Sequence, residues 1–324
     1  MSQRISLPSS IAALLFLLPW FGGLTVGEVS NSFSQCLDFF YNRTPPRGLE
    51  NVDYKQICQL YKNRYHFASL YRRQHRAPLF SAYKLSPADG KRPKQPWMYE
   101  PQLAFSRASP EMRRFKNITD QNVVESQAVL EDYRNSGFSK GHLCPSLHQK
   151  TMDDRESTFT LTNIVPQQIG SNSGPWSTLE NELLARYKNF CIGPMYVITG
   201  VMPYESETHW INNRVSVPEY MWSAYCCPVF KPNLLKGMEQ RFPTYAAVGR
   251  NDPNSGQEIV PVDDTVKPSV RGYDVKQMTL EALEGILSRR LNVSVTLFDG
   301  NCQNPYMERF RERFYYLLLR YKHF

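Results

Sequence analysis

The sequence of 324 residues predicts a fold that mixes strands and helices in one domain. Three observations point there. Thr158-Phe-Thr-Leu-Thr-Asn-Ile164 alternates apolar and polar residues with the period of a strand. Leu179, Leu183, Leu184 and Tyr187 recur at helical spacing. Segments of both kinds are interleaved along the chain, with no internal repeat and no low-complexity tract.

At the N-terminus, Arg4 precedes an apolar run from Ile11 to Leu24 and then Thr25-Val-Gly27, where small residues suit a signal peptidase. The run falls short of the roughly 20 residues that cross a bilayer. Residues 1–27 therefore read as a secretory signal, with no stable membrane insertion and an extracellular destination, and 28–324 as the domain. The stretch from Phe33 to Tyr65 is rich in aromatics and turns at Pro45-Pro-Arg-Gly48. Leu79 to Leu85 alternates toward a strand, which Ser86-Pro-Ala-Asp-Gly90 ends. Lys91-Arg-Pro-Lys-Gln-Pro96 is a basic, proline-broken loop, either a phosphate-facing rim or a solvated run.

Glu125 to Tyr133 reads as a short helix or turn, and Thr158 to Ile164 as a strand limited by Pro166. Ser177-Thr-Leu-Glu180 fits a capping box, so a helix is expected from about Thr178 to Phe190. Strands follow at Met195–Val201, Tyr220–Phe230 and Tyr245–Val248, with helices at Val275–Leu291 and Pro305–Tyr321. The last mixes Phe310, Phe314, Leu317 and Leu318 with Arg311, Arg313 and Arg320, an amphipathic pattern that predicts packing against the body.

Sequons at Asn42, Asn117 and Asn292 fit a secreted glycoprotein. Seven cysteines remain after residue 27, and in an oxidising compartment most should pair, leaving an odd one. The expected bridges are Cys36–Cys58 and Cys302 with either Cys226 or Cys227. Cys144 is left as the free thiol, a partner of Cys191, or a small buried filler. No Cys-x2-Cys pair occurs, which removes zinc knuckles. Loss of Arg4 lowers the net charge from +8 to +7, a balance that favours polyanions without choosing among them.

The chemistry concentrates in three residues. His142 lies in Gly137-Phe-Ser-Lys-Gly-His-Leu-Cys-Pro-Ser146, and Asn172 and Glu180 follow it by 30 and 38 residues. A neutral imidazole takes a proton from water, an amide oxygen ligates a hard cation, and a carboxylate orders the waters around that cation. The expected order of strand, strand, loop and helix gathers all three at one end of a compact unit, with Glu180 in the first helical turn. Each has an ordinary alternative: Glu180 as the capping partner of Ser177, Asn172 as a turn residue before Gly174-Pro175, His142 as a structural histidine. His148 and His209 read as surface residues.

The block Ser139-Lys-Gly-His142, then Phe159-Thr-Leu-Thr-Asn-Ile-Val-Pro-Gln167, then Asn172 to Glu180, resembles the DNA/RNA non-specific endonuclease family. The opening segment Cys36-Leu-Asp-Phe-Phe-Tyr-Asn-Arg-Thr-Pro-Pro-Arg-Gly48 is similar to a vertebrate branch of it, the endonuclease domain-containing 1 proteins. The resemblance implies the α+β class and a ββα-metal nuclease fold, a central antiparallel sheet flanked by helices, with one Mg²⁺, or Mn²⁺ in its place. It implies His142 as general base, Asn172 as metal ligand, Glu180 as the carboxylate beside the metal, Lys140 in the place of an arginine, and Asn163 as a supporting residue of the second strand. Arg92 or Lys94, ahead of Trp97, stands nearest to the family's upstream arginine, and with Lys140 would grip substrate. DNA and RNA are the substrates so implied, and competent members are often homodimers.

Where the family motif reads Asp-Arg-Gly-His, this chain has Ser139-Lys140-Gly141-His142. Serine carries no charge, and lysine lacks the planar fork that suits phosphate. Two readings follow: a secreted Mg²⁺-dependent endonuclease with little sequence preference, or a catalytically impaired nuclease fold that binds nucleic acid, another polyanion or a protein.

Overall fold

The computed structural model of the chain describes residues 29–302 apart from 51–52, 117–118, 232–233 and 235. The signal at 1–27, the helix expected at Pro305–Tyr321 and the Asn117 sequon lie outside the described residues. The elements that position the site are β1 (Val29–Ser30), β2 (Tyr54–Tyr61), β3 (Arg64–Arg72), β4 (Ala77–Leu85), β5 (Phe138–His142), α1 (Met152–Ser157), β6 (Ile164–Gln168), α2 (Pro175–Phe190), β7 (Met195–Met202), β8 (Tyr220–Cys226), β9 (Thr244–Arg250), β10 (Val275–Met278) and α3 (Leu280–Leu291).

Eight strands form one sheet in the order β1-β2-β3-β4-β7-β8-β9-β10. Every neighbouring pair is antiparallel. Successive side chains point to opposite faces, and both faces are covered. Phe80, Ala82, Ile198, Trp222 and Val248 pack with Leu283 and Leu287 of α3. Their strand neighbours Tyr83, Val197, Met221 and Ala247 pack on the other side with Leu143, Ile164, Trp176, Leu179 and Leu183. Burial on both faces lets strands such as β7 and β8 carry apolar residues at successive positions. The α+β class, with a large antiparallel sheet and helices beside it, is as expected from sequence.

On the second face lies a separate antiparallel ribbon, β5 with β6, followed by α2. Several boundaries differ from the sequence reading. The run Thr158–Ile164 is not a strand: it holds the 3-10 turn Leu161–Asn163, and β6 begins only at Ile164. Its alternation misleads because the threonines are buried too, with Thr158 donating to the Arg155 carbonyl at 2.8 Å and Thr162 to Glu100 at 3.1 Å. Pro166 lies inside β6, where a two-stranded ribbon leaves each strand an edge that tolerates a missing N–H. Helix α2 starts at Pro175, not Thr178, with Gly174 as its N-cap residue and proline at the first helical position. Ser177 therefore sits inside the helix, and the capping-box reading of Ser177 and Glu180 is overturned. The expected helix Val275–Leu291 divides into β10 and α3, because Thr279 caps α3 through the Ala282 amide. The strand from Tyr220 ends at Cys226, before Pro228.

Cys36–Cys58 and Cys226–Cys302 are bridged, as expected. Cys191 pairs with Cys227, which leaves Cys144 free and buried. Asn42 and Asn292 are exposed. Among the described residues no helix is long and apolar enough to cross a membrane.

Candidate active site

The ribbon fixes His142. Ser139, Lys140, Gly141 and His142 lie opposite Gln167, Pro166, Val165 and Ile164. A Cβ on Gly141 would stand 2.3 Å from the Gln167 side-chain oxygen and 2.6 Å from its Cβ, so only glycine lets the strands meet here. Period-two alternation sends Lys140 and His142 to one face, and both line a cleft of about 480 Å³.

An aromatic wall stands behind them. The Trp97 and Phe159 rings each lie 5.3 Å from the His142 ring, and Phe159 presents an edge. Lys140 Nζ sits 5.2 Å from the Tyr133 ring and 5.8 Å from Trp97. The Arg92 guanidinium is 5.2 Å from Phe159. These cation–π contacts hold two positive charges beside the imidazole without neutralising them. His142 is only 8 % exposed, and its Nε2 is buried with no hydrogen-bond partner among the described residues. Burial, helped by the Arg92 charge, pushes the imidazole down to about 3, so it is neutral at physiological pH with a lone pair available. Burial also lowers the Lys140 ammonium.

Asn172 and Glu180 enter the same cleft from the other wall. Asn172 closes the short helical turn Ile169–Asn172, and Glu180 lies in the second turn of α2 rather than the first. The Asn172 amide nitrogen donates to Ser139 Oγ at 2.9 Å, and Ser139 Oγ donates to the Gln167 carbonyl at 2.7 Å. Burial pushes the Glu180 carboxyl up to about 8, against the opposing pull of Arg92. Behind Glu180, His148 Nε2 donates to its backbone carbonyl at 2.9 Å, while His148 Nδ1 faces the Tyr83 hydroxyl at 2.9 Å. His148 is 1 % exposed, which corrects the surface reading: it braces α2 against β4. His209 is partly buried and stacks on Tyr204.

The cleft thus gathers His142, Lys140, Asn172, Glu180 and Arg92. Lys94 is exposed and does not line it. Asn163 is fully buried behind it, in the turn before β6 rather than in a strand. Its amide donates to the Cys144 and Thr158 carbonyls at 2.9 and 3.0 Å and accepts from the Cys144 N–H and the Ser81 hydroxyl at 3.0 and 2.9 Å. Two of these bonds fix the chain at Cys144, just past His142, and the other two tie the amide to Thr158 and to Ser81 of β4. Cys144 itself accepts from Gln149 and is pushed up by burial, an inert thiol. Sequence reasoning missed Arg155 of α1, which is 3 % exposed, lines the cleft and pairs with Asp89 at 2.5 Å. Met152-Asp-Asp-Arg155 reads as a solvated helical turn, so no local signal marks it. Trp97 served only as a landmark beside Arg92, and its place in the wall shows only in three dimensions.

Among the described residues no three His, Cys, Asp or Glu side chains are grouped to cage a metal. One amide oxygen and one carboxylate nevertheless suit Mg²⁺, which keeps most of its water and shares the rest of its shell with substrate phosphate.

Residues 46–280 match the model of the DNA/RNA non-specific endonuclease family. The endonuclease domain-containing 1 protein of Homo sapiens is 33 % identical over 68 % of this chain and 44 % of its own length. That of Mus musculus is 32 % identical over 61 % of this chain and 39 % of its own length. The chain thus spans less than half of these relatives. A crystal structure of the EndoG/EndoGI complex is similar over 85 % of this chain and 93 % of that one, with a TM-score of 0.48 at 18 % identity.

Proposed function

The chain belongs to the DNA/RNA non-specific endonuclease family, and on that premise we propose that it is a secreted endonuclease that hydrolyses phosphodiester bonds of DNA and RNA with little sequence preference. The observation that carries this reading is the buried, neutral His142, its Nε2 unpartnered among the described residues, in the wall of the cleft that holds Lys140, Asn172 and Glu180.

A phosphodiester resists attack because the nucleophile must approach an anion. Arg92 and Lys140, held on the aromatic wall, offset that charge as the phosphate enters. His142 takes the proton of the attacking water. Its low affinity for protons keeps it ready, and the arriving phosphate raises that affinity. Asn172 Oδ1, with Glu180 beside it, would hold Mg²⁺ or Mn²⁺, which supplies Lewis-acid stabilisation of the charge developing on the phosphate. Contacts of this kind reach phosphate rather than bases, whence the weak sequence preference. The three disulfides support passage through an oxidising compartment.

One observation favours a second reading, a non-catalytic fold that binds nucleic acid, another polyanion or a protein. Lys140 stands where the motif has arginine and lies over Tyr133 and Trp97, so it offers no bidentate fork. Incubation of the purified protein with supercoiled plasmid and single-stranded RNA, in Mg²⁺, Mn²⁺ or EDTA, decides between them. Metal-dependent cutting that is absent from His142→Ala supports the endonuclease. A folded wild type inert in both metals rejects it.

A further inference from the structure

We infer that Ser139, which stands where the family motif has aspartate, is the positioning residue that orients the Asn172 amide for a divalent cation. The inference rests on the metal-assisted reading above. The order of hydrogen bonds dictates it. The Gln167 carbonyl can only accept, so Ser139 Oγ–H donates to it, at 2.7 Å. A hydroxyl has one proton, so towards Asn172 Ser139 can act only as acceptor. Asn172 must therefore present its NH₂ to Ser139, as it does at 2.9 Å, which turns Oδ1 to the opposite side of the amide. Oδ1 is the atom that a hard cation takes. Register makes the relay possible, since Ser139 and Gln167 are directly opposed in the β5–β6 ribbon and Asn172 follows from β6 within one short turn.

The serine thus performs with a relay of two bonds the orientation that an acidic acceptor would perform with charge. It adds no negative charge beside the cation. The argument also separates Ser139 from Lys140: the first departure from the motif preserves a function of geometry, while the second changes how phosphate is gripped.

The test is Mn²⁺ affinity of the full mature chain, without nucleic acid, read from the free-ion electron paramagnetic resonance signal. Ser139→Ala should weaken Mn²⁺ binding by about tenfold, the lower end of what loss of a partner behind a metal ligand costs. Ser139→Thr, which keeps both bonds, should stay close to wild type. The decisive arm is Asn172→Asp, because a carboxylate presents an acceptor oxygen whichever way it turns. In that background Ser139→Ala should leave Mn²⁺ binding unchanged or tighten it, by removing a lone pair that faces a carboxylate. An equal loss in both backgrounds overturns the inference, since it would mark general damage to the ribbon. Wild-type affinity in Ser139→Ala overturns it alone, and a wild type that binds no Mn²⁺ overturns the metal-assisted reading with it.

Discussion

The two faces of the central sheet are built from the same strands and do opposite work. The face under α3 is an apolar layer: Leu70, Phe80, Ile198, Trp222, Leu283 and Leu287 pack together, and the Cys36–Cys58 and Cys226–Cys302 bridges end in the same core. The face under α2 is apolar at its base but carries a buried polar chain. It runs from Asn163 to Ser81 at 2.9 Å, to Ser69 at 2.9 Å, to Gln59 at 3.3 Å and on to Thr162 at 3.1 Å. The orphaned atoms His142 Nε2 and Arg155 Nε belong to residues that line the cleft on this face. Burying polar atoms without partners costs free energy. The contrast places an apolar core in one layer and the candidate site, with the cost of its unpaired polar atoms, in the other.

Substitutions should respect that division. His142→Ala removes the proposed base, and plasmid nicking should fall by about 10² to 10⁴ while calorimetry still shows a cooperatively folded protein. A variant that nicks like wild type would detach the cleft from catalysis. Leu283→Ala, on the α3 face, should cost about 2–5 kcal/mol in denaturant unfolding and leave the nicking rate at 25 °C intact. If nicking collapsed while the protein stayed folded, the faces would be coupled.

Asn163→Ala leaves three backbone groups near His142 unpaired and should cost about 3 kcal/mol. It should also slow nicking, because those bonds hold the chain that follows the imidazole. Glu180→Gln acts in the opposite direction on stability. The folded carboxyl titrates at about 8 rather than the ordinary 4.5, so the folded state holds its proton longer. Wild-type stability from this group is therefore complete below pH 4.5 and declines as pH rises through 8. Glutamine cannot ionise, so the variant should gain on the order of 2 kcal/mol at pH 8, discounted for solvent in the cleft, and nothing at pH 4. A stability difference independent of pH would contradict the burial of this carboxyl. On the acid side the sign reverses: His142 and His148, held at about 3 and about 4, are stabilising when neutral, and that contribution fades as pH falls from 6.5.

Much of this was legible from the residues because the signals are local. Strand patterns at Leu79–Leu85 and Met195–Val201, the stripe of α2, the odd cysteine and the convergence of His142, Asn172 and Glu180 all reflect periodicity or spacing within tens of residues. The misreadings have one cause: a local pattern served two purposes. Ser177 and Glu180 have capping-box spacing, yet Pro175 opens the helix earlier and Glu180 is left to face the cleft. Thr158–Ile164 alternates, yet its threonines bond inward to Glu100 and Arg155. His148 looks like a surface histidine, yet the packing of α2 on β4 buries it.

Sequence pointed to interleaved strands and helices, to a bridge between Cys36 and Cys58, and to His142, Asn172 and Glu180 as the candidate site, because periodicity, spacing and the resemblance to a known family are properties of the chain alone. The partner of Cys191, the freedom of Glu180 from the helix cap and the direction in which Asn172 presents its oxygen were decided only by the tertiary structure. Each depends on a contact between separate segments, and no local pattern encodes the register at which two strands and a helix come to rest.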